Sequence, residues 1–327
     1  MIRKWLVFAA VAAAFFAAES ASAQTYPTKP IRILVGFAPG GPADVMARLL
    51  APKMSAMLGQ PVIVDNRPGA GGTIAARAVA ESDADGHTLL LGNTSTLVIS
   101  PLIYKNIGYD PLKGFAPIAR LGPTSNLLVA NPAFAAKSNI KSVQDLIAYA
   151  KANPGKLNYS SAGIGTPPHL IGEMFKLRAG IDAVHIPYKG GGPSIQAVIA
   201  GETQYTFENP AVSLPLAQAG TVKPLAVTSD TRHPQAPDVP TMIEGGLPDF
   251  VSVSFTGVVA PGGTPAAVVS RLNAVINDTT KSPEISAMLV KLAVDAKHET
   301  AGEFTAFLSK ELERLAPVVK AAGIVGQ

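Results

Sequence analysis

The sequence predicts an α/β fold of two domains, each built on a mainly parallel sheet. The chain has 327 residues, 47% of them hydrophobic, a length that suits about two domains. Its 30 glycines and 28 prolines suit a chain that turns often between short elements. Apolar strand-like runs also alternate with helical patterns in two separate stretches.

Before the first stretch lies a leader. Arg3 and Lys4 give a positive start, Leu6–Ala18 is apolar and uncharged, and Ala21-Ser22-Ala23 is a small-x-small site before Gln24. These are the three parts of a secretory signal peptide, residues 1–23. The apolar run falls short of the ~20 residues that a membrane-spanning helix needs. The chain has no cysteine, so a disulfide framework, a thiolate metal site and a thiol nucleophile are all excluded. With such a leader, this composition points to a bacterial periplasm.

In the first stretch Ile31–Gly36 reads as a buried strand. Val45, Met46, Leu49, Leu50, Met54, Met57 and Leu58 then recur near helical spacing over Ala43–Leu58, with a kink expected at Pro52. Val62–Val64 is a short strand. The turn "NRPGAGG" leads to a helix over Thr73–Glu81, and "HTLLLG" is a strand that ends at the polar cluster Asn93–Thr96. The second stretch repeats the rhythm. Strands are expected at Leu127–Ala130, Leu157–Ser160, Val184–Ile186, Gln204–Phe207 and Leu225–Thr228. Helices are expected after Ser142-x-x-Asp145, which resembles a capping box, and over Pro168–Arg178, Ser194–Ala200 and Val212–Ala219. The last third holds an alternating strand, Val251–Val259, and a final helix opened by Thr300-x-x-Glu303. No linker divides the chain, so it is expected to pass between domains twice, near Gly122–Asn126 and Thr228–Asp230. The first domain is then discontinuous, 24–124 with 229–327, and the second is 125–228.

Three turns share one layout of strand, small residues and helix start: "GFAPGGPAD", "SSAGIGTPPH" and "YKGGGPS". The first N–H groups of a helix have no partner inside it and carry partial positive charge, so each turn can hold an anion. The Walker and dinucleotide phosphate patterns both fail, because Pro42 and Pro168 stand where Lys or a further Gly belongs. A carboxylate fits better, met by two or three N–H groups and a hydroxyl such as Ser161 or Thr166. The five histidines are scattered, with no metal-ligand spacing, and no nucleophile elbow surrounds Ser160 or Ser161. Asp44 suits a helix start. Glu208 and Asn209 end a strand and could face a cleft. The net charge is +4 with no basic run, so nucleic acid is not an expected partner.

These segments, with "VDNRPGAGG", "DGHTLLLGNTST", "YDPLKGFAPI" and "VAPGGTP", together resemble the Bug/TctC family. Its members are periplasmic solute-binding proteins of tripartite tricarboxylate transporters. The resemblance covers the chain after residue 23 in the family's order. It implies a two-lobed periplasmic binding protein fold with a ligand cleft between the lobes. The ligand would be a di- or tricarboxylate, an amino acid or an aromatic acid, and transporter membrane subunits would receive it. No catalytic residue, cofactor or metal is implied, and a monomer is expected. Carried over by position, the first-domain turn contributes Phe37, Ala38, Pro39, Gly40, Gly41 and Asp44. The second domain contributes Ser161, Ala162, Gly163, Gly165, Thr166 and His169, then Lys189, Gly190 and Gly191, then Glu208 and Asn209.

This chain departs from the family's usual residues in three places: Glu208 for Asp, Leu97 for His and Phe255 for Trp. All three are expected at or near the mouth of the cleft. Two other functions remain open to the sequence. One is a ligand sensor for a periplasmic signalling partner. The other is a secreted hydrolase or isomerase that uses Asp44 or Glu208. Intact mass of the exported protein is expected to correspond to a start near Gln24, and a membrane fraction retaining residues 1–23 would rule this out.

Overall fold

The structure is a computed structural model. It describes residues 26–324 except Ala293 and Asp295, so the leader and its cleavage site lie outside the described residues. In chain order the elements of the first part are β1 (Ile31–Val35), α1 (Pro42–Leu58), β2 (Val62–Asn66), α2 (Thr73–Ala80), β3 (Thr88–Asn93), α3 (Ser100–Ile103) and β4 (Phe115–Ser125). The second part holds β5 (Leu127–Ala130), α4 (Pro132–Lys137), α5 (Val143–Ala152), β6 (Leu157–Ser161), α6 (Pro167–Ala179), β7 (Ala183–Pro187), α7 (Gly191–Ala200), β8 (Tyr205–Glu208), α8 (Pro210–Gln218) and β9 (Lys223–Val227). The last are β10 (Val253–Pro261), α9 (Ala266–Lys281), α10 (Pro283–Lys291) and α11 (Ala301–Ala321). Among the described residues no helix is long and apolar enough to cross a membrane.

Two five-stranded sheets form, in the orders β2-β1-β3-β10-β4 and β7-β6-β8-β5-β9. β1 runs parallel to β2 and β3, and β6 runs parallel to β7 and β8. Each sheet has one reversed strand, β10 in the first and β5 in the second. In both cases the reversed strand is the one that brings the chain in from the other sheet.

Helices cover both faces of each sheet, so the strands are apolar on both sides. Ile31, Ile33 and Val35 of β1 pack with Met46, Leu50 and Met54 of α1 and with Leu272, Val275 and Ile276 of α9. Leu34 and Leu90 face the other way, into a cluster shared with Ala75, Ala76 and Val79 of α2. In the second sheet Leu127 and Val129 pack with Ile195 and Val198 of α7 and Leu214 of α8. The expected helix starts hold: Ser142 accepts the Asp145 N–H, and Thr300 and Glu303 form a reciprocal capping box. Removal of one such cap costs about 1 kcal/mol.

The chain leaves the first sheet later than its sequence suggests. Gly122–Ser125 remain in β4, paired with β10, so the first passage narrows to Asn126. The return is longer. After β9, Thr241 bridges Val227, Gln144 donates to the Gly245 carbonyl at 2.8 Å, and the Phe250 ring stacks on Phe207 at 6.5 Å. Residues 241–250, which the sequence reading places in the first domain, therefore pack on the second sheet. Their apolar side chains, Met242, Leu247 and Phe250, join its core.

Both passages meet at Thr228. Its hydroxyl accepts the Asn126 N–H at 2.8 Å and donates to the Ser252 carbonyl at 2.6 Å. Its backbone N–H donates to Asn126 O at 2.9 Å, and Ser252 N–H donates to Thr228 O at 2.8 Å. All three residues are buried. A Thr228→Val change keeps the shape but orphans the Asn126 N–H. It is expected to cost about 1–3 kcal/mol, read as a lower urea midpoint at unchanged slope.

Candidate functional site

The first turn follows β1. Its Ala38, Pro39 and Gly40 are exposed, and Phe37 is half-buried. Pro42 opens α1, and Pro has no N–H to orphan there. Asp44 is buried at 3% exposure, and its carboxylate accepts the Gly40 N–H at 2.9 Å. Arg48 donates from Nε to both of its oxygens at 3.0 Å. Burial alone would raise the Asp44 carboxyl, but hydrogen bonds from Arg48, Gly40 and Asn66 outweigh it and hold the group below its ordinary range. Asp44 therefore shapes the turn from inside and takes up the Gly40 N–H, while Ala38 and Pro39 stay exposed. Asn66 fixes the same turn by donating to Phe37 O at 3.0 Å.

The second turn follows β6 and is held the same way, by its own side chains. Ser161 Oγ accepts the Gly163 N–H at 3.1 Å and lies 2.6 Å from His185 Nε2. The Thr166 hydroxyl, expected to meet a carboxylate, donates back to Gly163 O at 2.6 Å. His169 Nδ1 accepts the Gly165 N–H at 3.3 Å. His169 stacks on His185 with ring centroids 3.9 Å apart, and Tyr159 also stacks on His185, at 4.9 Å. Burial lowers His169 to about 4. Burial, then repulsion from His169, lowers His185 to about 3. Both rings are therefore neutral at pH 7, and the turn carries no formal charge.

The third turn links β7 to α7. Lys189 is exposed, and Gly190 is the residue before the helix, with φ +121°. It joins the second turn through Gly190 N–H to Ala162 O at 3.1 Å and Tyr188 N–H to Ser161 O at 3.0 Å. Beneath it sits Glu208 at the end of β8. Oε1 accepts the Asn209 N–H at 2.8 Å, while Oε2 is buried with no partner. Burial pushes this carboxyl up to about 7, offset only in part by the Asn209 N–H. The Asn209 side chain caps α8 through the Ala211 N–H at 2.9 Å.

A chain of contacts joins the lobes near these turns. A β-carbon on Gly165 of the second turn would fall 2.7 Å from Ile103 Cδ1 of α3 in the first lobe. Ser95, in the single π-helical turn after β3, donates to Gly165 O across the lobes at 2.7 Å and lies 3.3 Å from the neighbouring Gly71 O. Ser95, Arg48, Asn66 and His185 are the residues that sequence reasoning missed. The polar cluster Asn93–Thr96 was the available signal for Ser95. Only the pairing of β6 with β7, which sets Tyr159 beside His185, reveals the role of His185.

Two expected rim residues are core residues. Leu97 is fully buried against Gly92. Phe255 is buried against Phe304 and Phe307 of α11, at ring distances of 6.0 and 5.1 Å. Of the three departures from the family's usual residues, only Glu208 adjoins the glycine turns.

The neutral histidines set a pH window. Unfolded histidines titrate near 6.5, whereas His169 in the fold titrates at about 4, so below 6.5 the unfolded chain binds more protons. Stability is fully present above 6.5 and falls as the pH drops toward 4. The His169 contribution alone is on the order of 3 kcal/mol. The raised Glu208 carboxyl acts in the opposite sense over the same window, so urea unfolding of the Glu208→Gln chain between pH 7 and 5 is expected to show this decline. A flat profile in that variant would count against the buried pair.

Residues 46–324 match the family described as "Tripartite tricarboxylate transporter family receptor", TctC. Protein BugT of Bordetella pertussis is 38% identical over 307 residues, which is 94% of this chain and 93% of that protein. Among solved structures, R. palustris Rpa4515 with adipate is 34% identical with a TM-score of 0.86, covering 92% of this chain and 99% of that one. MatC from Rhodopseudomonas palustris with bound malate is 31% identical with a TM-score of 0.83, covering 90% and 100%. The two sheets, the three glycine turns and these matches along nearly the whole chain lead to one conclusion: the chain belongs to the TctC family of tripartite tricarboxylate transporter receptors, with Bug periplasmic binding proteins among its relatives.

Proposed function

We propose that this chain is a monomeric periplasmic solute-binding protein. It captures a small organic carboxylate between its lobes and delivers it to the membrane subunits of a tripartite tricarboxylate transporter. The observation that carries this reading is the turn chemistry. Three helices start directly after parallel strands, at the strand ends where open α/β sheets bind ligands. The positive end of each helix dipole suits an anion, although α1 and α6 open on prolines that have no N–H, and the first two turns carry no Lys or Arg. Two relatives of more than 30% identity, Rpa4515 and MatC, hold adipate and malate. A sensor that docks on a periplasmic signalling partner would use the same capture step. An enzymatic role draws no support from Asp44, whose carboxylate is committed to Arg48 and Gly40.

Each N–H bond to a carboxylate contributes roughly 1.5–3 kcal/mol, so distorting one turn should cost a decade or more in affinity. Gly163 has φ +127°, and a β-carbon there would fall 3.2 Å from Tyr188 O. Gly163→Val is expected to weaken adipate or malate binding at least tenfold by calorimetry. Gly220 has φ +72° with open space around it, in the α8–β9 turn away from the site. Gly220→Ala carries a similar backbone strain and is expected to keep wild-type affinity. Equal affinities for the two variants would place the ligand elsewhere.

A further inference from the structure

β8 alternates cleanly. Tyr205 and Phe207 turn one way, with Phe175 of α6 at ring distances of 6.0 and 5.7 Å. Thr206 turns the other way, 3.4 Å from Ser194 of α7. By the same period of two, Glu208 faces α7. A β-carbon on Gly191 would lie 2.7 Å from Glu208 Oε1 and 3.0 Å from Oε2. The carboxyl therefore sits directly against the first turn of α7, where partial positive charge and orphan N–H groups invite an anion. Glu208 is 3% exposed, and its Oε2 has no hydrogen-bond partner.

Among the described residues no charged side chain is bonded to it. On its own face of the sheet, α7 reads GGPSIQAVIA, α8 reads PAVSLPLAQ and the paired strand β5 reads LLVA, with no titratable side chain in any of them. On β8 itself the other titratable group is Tyr205, which faces α6. The charges of α6 lie behind the sheet, where Glu173 binds Lys176 and Tyr159, and Arg178 follows in the last turn. His169 and His185 are occupied in the second turn. Lys189 is exposed on the turn before α7. Across the lobes Asp44 is bonded to Arg48. A buried carboxyl with one free oxygen and no cation is strongly disfavoured as an anion.

We propose that Glu208 is held as the neutral acid beside the anion seat of α7, and that capture of a carboxylate there is linked to this proton. The inference rests on the acid-binding reading above. The neutral carboxyl leaves the seat open to a ligand carboxylate and has one O–H to donate. Ionised, it places a second negative charge beside that ligand. Capture is then tight at acidic to neutral pH and weakens as the pH rises. With one proton per ligand, the dissociation constant rises up to tenfold per pH unit above the midpoint of the free group.

The test has two arms on the mature chain. Carbon-13 spectra of the glutamate side-chain carboxyls, recorded without ligand, are expected to show one resonance that titrates near pH 7 and vanishes in Glu208→Gln. Calorimetry with adipate and malate between pH 6 and 8.5 is expected to show affinity falling with pH in the wild type. In Glu208→Gln, a neutral isostere of the protonated acid, the affinity should be flat. A Glu208 resonance that titrates in the ordinary glutamate range overturns the proposal. So does pH-independent binding alongside a raised midpoint. A raised midpoint with no binding of either acid at any pH rejects the acid-binding reading itself, and the linkage falls with it.

Discussion

Thr228 solves the problem that any two-lobed chain must face. Where a strand leaves one sheet for another, its backbone groups lose their ladder partners while still buried, and an unpaired buried N–H is costly. Here the two passages supply each other. Asn126 on one passage and Ser252 on the other both bond to Thr228, through its backbone and through its hydroxyl. The clasp fixes the two passages side by side. It also explains the reversed strands, since β5 and β10 each begin within a residue of it.

The site inherits its geometry from that arrangement. Each sheet keeps a parallel trio, β2-β1-β3 and β7-β6-β8, and the C-terminal ends of β1, β6 and β7 lead into the three glycine turns. Ser95 ties the first lobe to the second turn across the gap. The turns spend their side chains on themselves: Asp44 on Gly40, Ser161 and Thr166 on Gly163, His169 on Gly165. Those bonds occupy the Gly40, Gly163 and Gly165 N–H groups and fix the shape of the turns, so what the turns offer an anion is the dipole of each helix start rather than a formal charge. A site of this kind meets an anion with dipoles that need no reorganisation. It leaves Glu208 as the carboxyl buried against a helix start with an oxygen still unpaired.

The sequence by itself determined the local structure. Short apolar runs specified most strands, Ser142 and Thr300 marked their helix starts, and the three glycine turns were legible because strand, glycine and helix follow one another directly in the chain. The motifs also carried the family, and with it the two lobes. Only the tertiary structure decided how those local pieces are used. The extent of β4 depends on pairing with β10, more than a hundred residues away. The placement of residues 241–250 depends on Val227 and Phe207. Asp44 and Thr166 look like ligand donors along the chain, yet they bond inward. Phe255 and Leu97 look like rim residues, yet they are core. The physical reason is common to all of them. Periodicity and turn chemistry act over a few residues and are written in the sequence, whereas burial and hydrogen-bond partners are set by whichever distant segment packs alongside.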